Sequence, residues 1–146
     1  MSFEPDMIVY SGRKPVVVIE AKGNPVPERF KDSIVQQLRA YSTDCNSMWF
    51  LLADPVKTAI YRTSDAEQQP VASLATEYII AEAIRPKPEV VGEQTLLFAL
   101  DKVLHDRRSL GRLADANPRL KSFVTDVSSA SAIETADDIG RKSRST

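Results

Sequence analysis

The first two apolar segments of the chain predict a β-hairpin. Residues 6–10 and 15–21 are rich in β-branched and other apolar side chains, and residues 11–14 between them read Ser-Gly-Arg-Lys, a turn sequence. The unbroken apolar run Val16–Ile19 is typical of a strand that is covered on both faces rather than on one. We therefore expect this hairpin to lie inside the domain and not at its surface.

A helix and two further strands are predicted next. Pro27 suits the first position of a helix because its missing N–H is not needed there. Residues 48–53 predict a buried strand, and residues 58–61 predict a short strand after the turn at Asp54-Pro55. The helix is predicted from Glu28 to about Ser42 by four apolar positions at helical spacing: Phe30, Ile34, Leu38 and Tyr41. The order β-β-α-β-β requires a mixed sheet with a helix crossing one face.

The second half of the chain has a weaker pattern. Residues 73–84 favour a helix, with a strand as the alternative, and residues 93–108 predict an amphipathic helix with a leucine-rich stripe. Residues 112–124 predict a weaker helix that is interrupted at Asn117-Pro118. Residues 128–146 are rich in Ser, Thr and Ala, and we expect them to be mostly disordered. One domain over residues 1–127 is therefore predicted, followed by this tail.

Composition narrows the class of protein. The 146 residues include 19 Lys and Arg against 20 Asp and Glu, so the net charge is −1 and any contact with phosphate must be local or assisted by a metal. The single cysteine, Cys45, excludes a disulfide framework and fits a reducing compartment. The first residues have neither the basic start nor the apolar run typical of a signal peptide, and the longest apolar runs are too short to span a bilayer. We expect a cytoplasmic protein that does not contact membranes.

The candidate chemistry lies in the hairpin. Glu20 and Lys22 are two residues apart on one strand, so their side chains leave the same face. If the hairpin pairs residues whose numbers sum to 26, Asp6 lies opposite Glu20, with Cβ atoms roughly 5 Å apart. Two neighbouring carboxylates repel each other, and Mg²⁺ or Mn²⁺ would remove that repulsion through oxygen ligands. With Lys22 to stabilise charge on a phosphate, these groups predict phosphodiester hydrolysis.

These residues resemble a known nuclease signature. Pro5-Asp6, thirteen intervening residues and Glu20-Ala21-Lys22 are similar to the PD-(D/E)XK motif, and the helix carries a Q-x-x-x-Y pattern at Gln37 and Tyr41. Over about residues 3–62 the chain resembles the N-terminal nuclease domain of type I restriction subunits. The resemblance implies an α/β (α+β), restriction-endonuclease-like mixed sheet flanked by helices. It also implies a Mg²⁺- or Mn²⁺-dependent nuclease that acts on DNA, in which Asp6 and Glu20 bind metal, Lys22 is catalytic, and Gln37 and Tyr41 support the site.

The family core normally has a helix and a strand before the Pro-Asp strand, and that helix often supplies a further acidic residue. This chain starts five residues before Asp6, so we expect a fold that is N-terminally truncated relative to the family core. Three explanations stay open: the sequence is a fragment, a second copy or a larger restriction-type subunit supplies the missing helix, or the 93–108 helix takes its place.

Each residue also has a purely structural interpretation. Glu20 and Lys22 are then a solvated strand end with a weak surface ion pair, and Gln37 and Tyr41 are residues at the boundary of the helix. His105, among charged neighbours, is expected to be an exposed helix residue, and Cys45 an inert residue of the core. The alternative function is accordingly a non-catalytic PD-(D/E)XK-like domain that serves nucleic-acid binding or subunit assembly.

Overall fold

The computed structural model describes residues 4–65 and 69–129, together with the backbone of residues 132–135. Within these ranges the chain forms a mixed α/β structure. Its strands are β1 (Met7–Ser11), β2 (Lys14–Ala21), β3 (Trp49–Ala53), β4 (Lys57–Arg62), β5 (Ala72–Ala75) and β6 (Ala132–Thr135). Its helices are α1 (Glu28–Asp44), α2 (Thr76–Ala83), α3 (Glu93–Leu104), α4 (Arg107–Ala116) and α5 (Lys121–Ser128), with a 3₁₀ turn at Pro118–Leu120.

All six described strands belong to one sheet, in the order β5-β4-β3-β2-β1-β6. Strands β2 and β3 run parallel, and every other neighbouring pair is antiparallel. The parallel pair needs a crossover connection, which helix α1 provides as the predicted β-β-α-β-β order requires. The ends of β2 and β3 therefore open at the same edge of the sheet, next to the beginning of α1.

Both faces of the sheet are covered, as the apolar run in β2 predicts. On one face α1 packs its Val35 and Leu38 against strand residues that include Val18 and Phe50. On the other face α2 to α5 build the larger apolar core around Ile19, Trp49 and Phe123 among others. Because alternate β2 residues point to opposite layers, the even-numbered Val18 and Glu20 face the α1 side.

The segment at 72–83 differs in part from the predicted helix. Residues Ala72–Ala75 form β5, which pairs with β4 so that Leu74 lies opposite Thr58, and helix α2 begins only at Thr76. Pairing with an available sheet edge outweighs the weak helical pattern of these four residues. The strand alternative is therefore correct for the beginning of the segment, and the helix prediction is correct from Thr76 onward.

The predicted helix over residues 93–108 is two helices. Helix α3 ends at Leu104, and α4 begins at Arg107 after Asp106, whose carboxylate accepts a hydrogen bond from the Arg108 N–H at 2.9 Å. An aspartate at this position caps a new helix by satisfying one of its free N–H groups. The interruption predicted at Asn117-Pro118 is present, between α4 and the 3₁₀ turn that leads into α5.

The structure differs from the prediction of a disordered tail at two places. Ser128 is the last residue of α5, and residues 132–135 form β6, which pairs antiparallel with β1 so that Ile8 lies opposite Glu134. The free edge of β1 offers backbone hydrogen bonds to a passing segment whatever its side chains, which a composition argument does not capture. The other residues of the predicted tail, 130–131 and 136–146, lie outside the described ranges. None of the described helices has the length and apolar character needed to cross a bilayer.

Candidate functional site

Asp6 and Glu20 lie at facing positions where β1 begins and β2 ends. Met7 pairs with Ile19, and the pairs that follow as far as Val9 keep the predicted register, in which residue numbers sum to 26. The Asp6 N–H continues the ladder by donating to the Ile19 carbonyl at 3.0 Å. The Asp6 carboxylate in turn accepts a hydrogen bond from the Ala21 N–H at 2.8 Å, which fixes its side chain over the end of β2. The predicted hairpin register is confirmed.

Glu20 is a buried carboxyl group on a central strand. Because β2 lies between β1 and β3, Glu20 is only 6% exposed. Burial, a hydrogen bond with Asp6 and the charges of Asp6 and Glu93 raise the pKa of Glu20 to about 8, although Lys22 acts in the opposite direction. Desolvation is the largest cause, since a charged carboxylate loses its hydration there. At neutral pH this side chain therefore holds a proton unless a cation or another positive charge replaces it.

Glu93 is an acidic residue of the site that the sequence did not single out. It is the first residue of α3, whose beginning packs on the turn after β2: a Cβ added at Gly23 would lie 3.5 Å from the Glu93 backbone nitrogen. Burial, the charge of Asp6 and a hydrogen bond with Asp6 raise the pKa of Glu93. The Asp6 carboxyl group thus lies within hydrogen-bonding reach of both glutamates. We call Asp6, Glu20 and Glu93 the acidic cluster.

Lys22 adds one positive charge beside the acidic cluster. Its Nζ lies 3.7 Å from Glu20 Oε2, and its side chain is 42% exposed, against 8% for that of Glu20. The Lys22 N–H donates to the Ala53 carbonyl at 2.8 Å, which holds the backbone at the end of the parallel β2-β3 pair. One ammonium group faces three carboxyl groups, so positive charge is in deficit here. Lys22 and Glu93 are both open to solvent, and Lys22 is the positively charged group that a phosphate could reach.

Gln37 and Tyr41 lie on α1, farther from the acidic cluster along the helix. Their spacing continues the row formed by Phe30 and Ile34, which line a pocket next to Lys22. Gln37 is exposed, whereas Tyr41 is half-buried and packs on the core under α1. The charged groups that act on Glu20 are Asp6, Lys22 and Glu93. A supporting role for Gln37 and Tyr41 stays a prediction.

The acidic cluster is not arranged as a finished metal site. Among residues 4–65 and 69–129, no three His, Cys, Asp or Glu side chains have the spacing of a complete ligand set. The Asp6 carboxyl group instead raises the pKa of both Glu20 and Glu93, which favours their protonated forms. The arrangement is what neighbouring acids adopt when no cation separates them, and a bound cation would displace those protons.

His105 and Cys45 have ordinary surroundings. His105 is half-exposed, and its Nδ1 lies 2.9 Å from Asp101 Oδ1 one turn earlier on α3. Cys45 is half-buried, and burial raises the pKa of its thiol, which makes the thiolate less accessible at neutral pH. Both observations fit the structural interpretations given above for these two residues.

Comparisons with protein-family models, with curated proteins and with solved structures found no match to this chain.

Proposed function

We propose that this protein is a Mg²⁺- or Mn²⁺-dependent nuclease domain of the PD-(D/E)XK type that hydrolyses phosphodiester bonds in DNA. The observation that carries the proposal is the meeting of Asp6, Glu20 and Glu93, from three different elements, with Lys22 beside them. Glu20 is buried beside the half-buried Asp6, and holding acids together in this way is costly and rarely contributes to stability. Acids whose pKa is raised, as it is for Glu20 and Glu93, are typical of functional sites when they lie together at one edge of a sheet.

The donor set fits a hard divalent cation. Carboxylate oxygens are the ligands that Mg²⁺ and Mn²⁺ prefer, and the acidic cluster offers only such oxygens. Asp6 and Glu20 would hold the cation, with Glu93 as a further ligand or as a partner of its bound water. This cation, when bound, would supply an activated water and neutralise phosphate charge.

The protein's own groups supply the rest of the chemistry. The hydrogen bond from the Ala21 N–H orients the Asp6 carboxylate before substrate arrives. The Lys22 ammonium group, exposed at its end, would stabilise the negative charge that develops on a phosphate oxygen during the reaction. The position of Glu20 at the carboxyl end of a parallel strand pair also agrees with the edge where open α/β sheets bind ligands.

The position of Glu93 bears on the missing family elements. In the nuclease family, a helix before the Pro-Asp strand is expected to supply a further acidic residue. In this chain α3 brings Glu93 to the Asp6 carboxyl group instead. This contact supports the explanation in which the helix that starts at residue 93 fills that place. The element order hairpin, α1 and β3 likewise supports a restriction-endonuclease-like fold.

One observation favours the second candidate, a non-catalytic domain of the same type that binds nucleic acid or another subunit. Among the described residues no three acidic side chains have the spacing of a cation site, and the raised pKa of Glu20 favours its neutral form. In that case the acids are a relic, and the domain would bind DNA or a partner without cutting.

Cleavage in the presence and absence of metal separates the two candidates. We expect the wild-type protein to cut circular DNA, offered in single- and double-stranded form, with millimolar Mg²⁺ or Mn²⁺, and to cut neither form in excess EDTA. The reason is that the acidic cluster cannot stabilise phosphate charge without a cation. Gel electrophoresis of a time course measures the result. Intact DNA in both metals, under conditions where the protein binds it, would leave only the non-catalytic candidate.

A further inference from the structure

A largely apolar pocket opens next to Lys22. It has a volume of about 440 Å³, within the range of pockets that take small organic groups. It lies between the loop that follows β2 and the first two turns of α1. Its lining residues are Lys22, Gly23, Asn24, Pro25, Val26, Pro27, Phe30, Ser33 and Ile34, and we call it the Phe30 pocket.

The Phe30 pocket presents an aromatic ring together with positive charge. Phe30 has a large apolar side chain, yet it is 51% exposed to solvent. The Arg29 guanidinium carbon lies 4.7 Å from the centre of the Phe30 ring, a cation–π contact that holds the ring in place. Lys22 lines the same pocket, and Asn24 and Ser33 at its wall carry groups that donate and accept hydrogen bonds.

This combination suits an unpaired nucleobase better than an apolar peptide side chain. Proteins bind single-stranded nucleic acid with aromatic rings, on which bases stack, beside cations that follow the phosphates. Lys22 lines the Phe30 pocket together with the ring and also belongs to the proposed cleavage site, while Arg29 contacts the ring without lining the pocket. A base held there would place its own phosphate near Lys22.

We infer that the Phe30 pocket binds an unpaired base of the DNA substrate, so that the domain acts on single-stranded DNA or on single-stranded ends. This inference rests on the proposed function, because it names the substrate of the same site. A base in a duplex would have to leave its stack and its pairing partner to enter the pocket, which costs free energy. The site therefore discriminates against fully paired DNA.

Fluorescence anisotropy with a labelled oligothymidylate of about 12 nucleotides tests the inference. Affinity is measured in EDTA and again in Ca²⁺. Phe30→Ala is expected to weaken binding about ten-fold in both conditions, the usual effect of losing one base–aromatic stack. Phe30→Trp is expected to keep wild-type affinity, because indole provides the same flat surface. A duplex of the same length is expected to bind more weakly than the single strand.

Phe98→Ala is the matched control. Phe98 lies on α3, is 55% exposed, and has the Lys102 Nζ 5.7 Å from its ring centre, so its ring also carries a nearby cation. We expect this variant to bind the single strand as the wild type does. Equal binding by wild type and Phe30→Ala, equal losses in Phe30→Ala and Phe98→Ala, a duplex bound as tightly as the single strand, or no wild-type binding would each overturn the inference.

The two proposals can fail separately. If the protein cuts DNA with Mn²⁺ but Phe30→Ala binds and cuts single strands like the wild type, the nuclease stands and the Phe30 pocket is not a base site. If binding depends on Phe30 in EDTA but no metal supports cleavage, the base site stands and the domain is not a nuclease.

Discussion

Replacing Lys22 by methionine is expected to lower the rate of Mn²⁺-dependent DNA cleavage at least about 100-fold. The Lys22 ammonium group lies beside Glu20 and reaches solvent, so it is the group placed to stabilise charge on a bound phosphate. Methionine keeps an unbranched apolar side chain against the pocket and removes only the charge. Because Lys22 is not a metal ligand, Mn²⁺ affinity should change far less than the rate. The rate is measured on single-stranded circular DNA.

Lys87→Met is the matched control for Lys22→Met. Lys87 also pairs with a glutamate, Glu77, but both side chains are well exposed and lie outside the acidic cluster. We expect cleavage by this variant to equal that of the wild type, since exposed ion pairs contribute little. Cleavage by Lys22→Met at the wild-type rate would remove Lys22 from the catalytic groups.

Without metal, the stability of the protein is expected to fall as the pH rises from about 5 to 9, and Glu20→Gln is expected to remove most of this fall. The pKa of Glu20 is about 8 in the folded protein, against 4.5 for an ordinary glutamate. Between these values the folded state keeps a proton that the unfolded state has released. The contribution of Glu20 to the free energy of unfolding is therefore fully present below the ordinary glutamate pKa of 4.5. It decreases as the pH rises and levels off above the folded-state pKa of about 8.

Glutamine in place of Glu20 keeps the shape, cannot ionise, and offers an N–H donor to the Asp6 carboxylate. At pH 9 in EDTA we expect the variant to be more stable than the wild type by about 1–2 kcal/mol, a figure reduced for residual solvent screening. This corresponds to a melting temperature higher by about 2–8 °C. Thermal melting at several pH values measures it. A wild-type protein whose melting temperature is constant across this range would contradict the description of Glu20.

Glu82→Gln is a control of opposite sign. Glu82 is also largely covered, but hydrogen bonds from Arg112 lower the pKa of its carboxyl group. Its charged form is therefore stabilised by folding, and this contribution is present above the ordinary glutamate pKa. We expect Glu82→Gln to lower the melting temperature at neutral pH, whereas Glu20→Gln does not.

The local parts of the site could be predicted from the sequence. Alternation along the hairpin fixes which face each side chain takes, and the apolar pattern fixes the register, so the pairing of Asp6 with Glu20 follows from residues 6–21 alone. The same reasoning puts Lys22 on the face of Glu20. Burial of Trp49 and Phe50 follows from the short apolar run of β3.

The contact of Glu93 with Asp6 could not be predicted from residue patterns alone. It depends on how α3 packs against the end of β2, and the periodicity of a helix gives its apolar stripe but not the point of the sheet at which it begins. The Phe30 pocket arises in the same way. The apolar spacing of α1 predicts that Phe30 belongs to the core, yet its ring is half-exposed next to the loop after β2.

Titration of the wild-type protein and of Asp6→Asn with Mn²⁺, followed by calorimetry at neutral pH, tests most directly the claim that the acidic cluster binds a divalent cation. Asparagine keeps an oxygen that can accept the Ala21 N–H bond, so the change removes charge and preserves the local fold. We predict that the wild type binds Mn²⁺ with release of the proton on Glu20, and that Asp6→Asn binds at least about ten-fold more weakly. No Mn²⁺ binding by the folded wild type at millimolar concentration, or equal affinity in the two proteins, would contradict the claim.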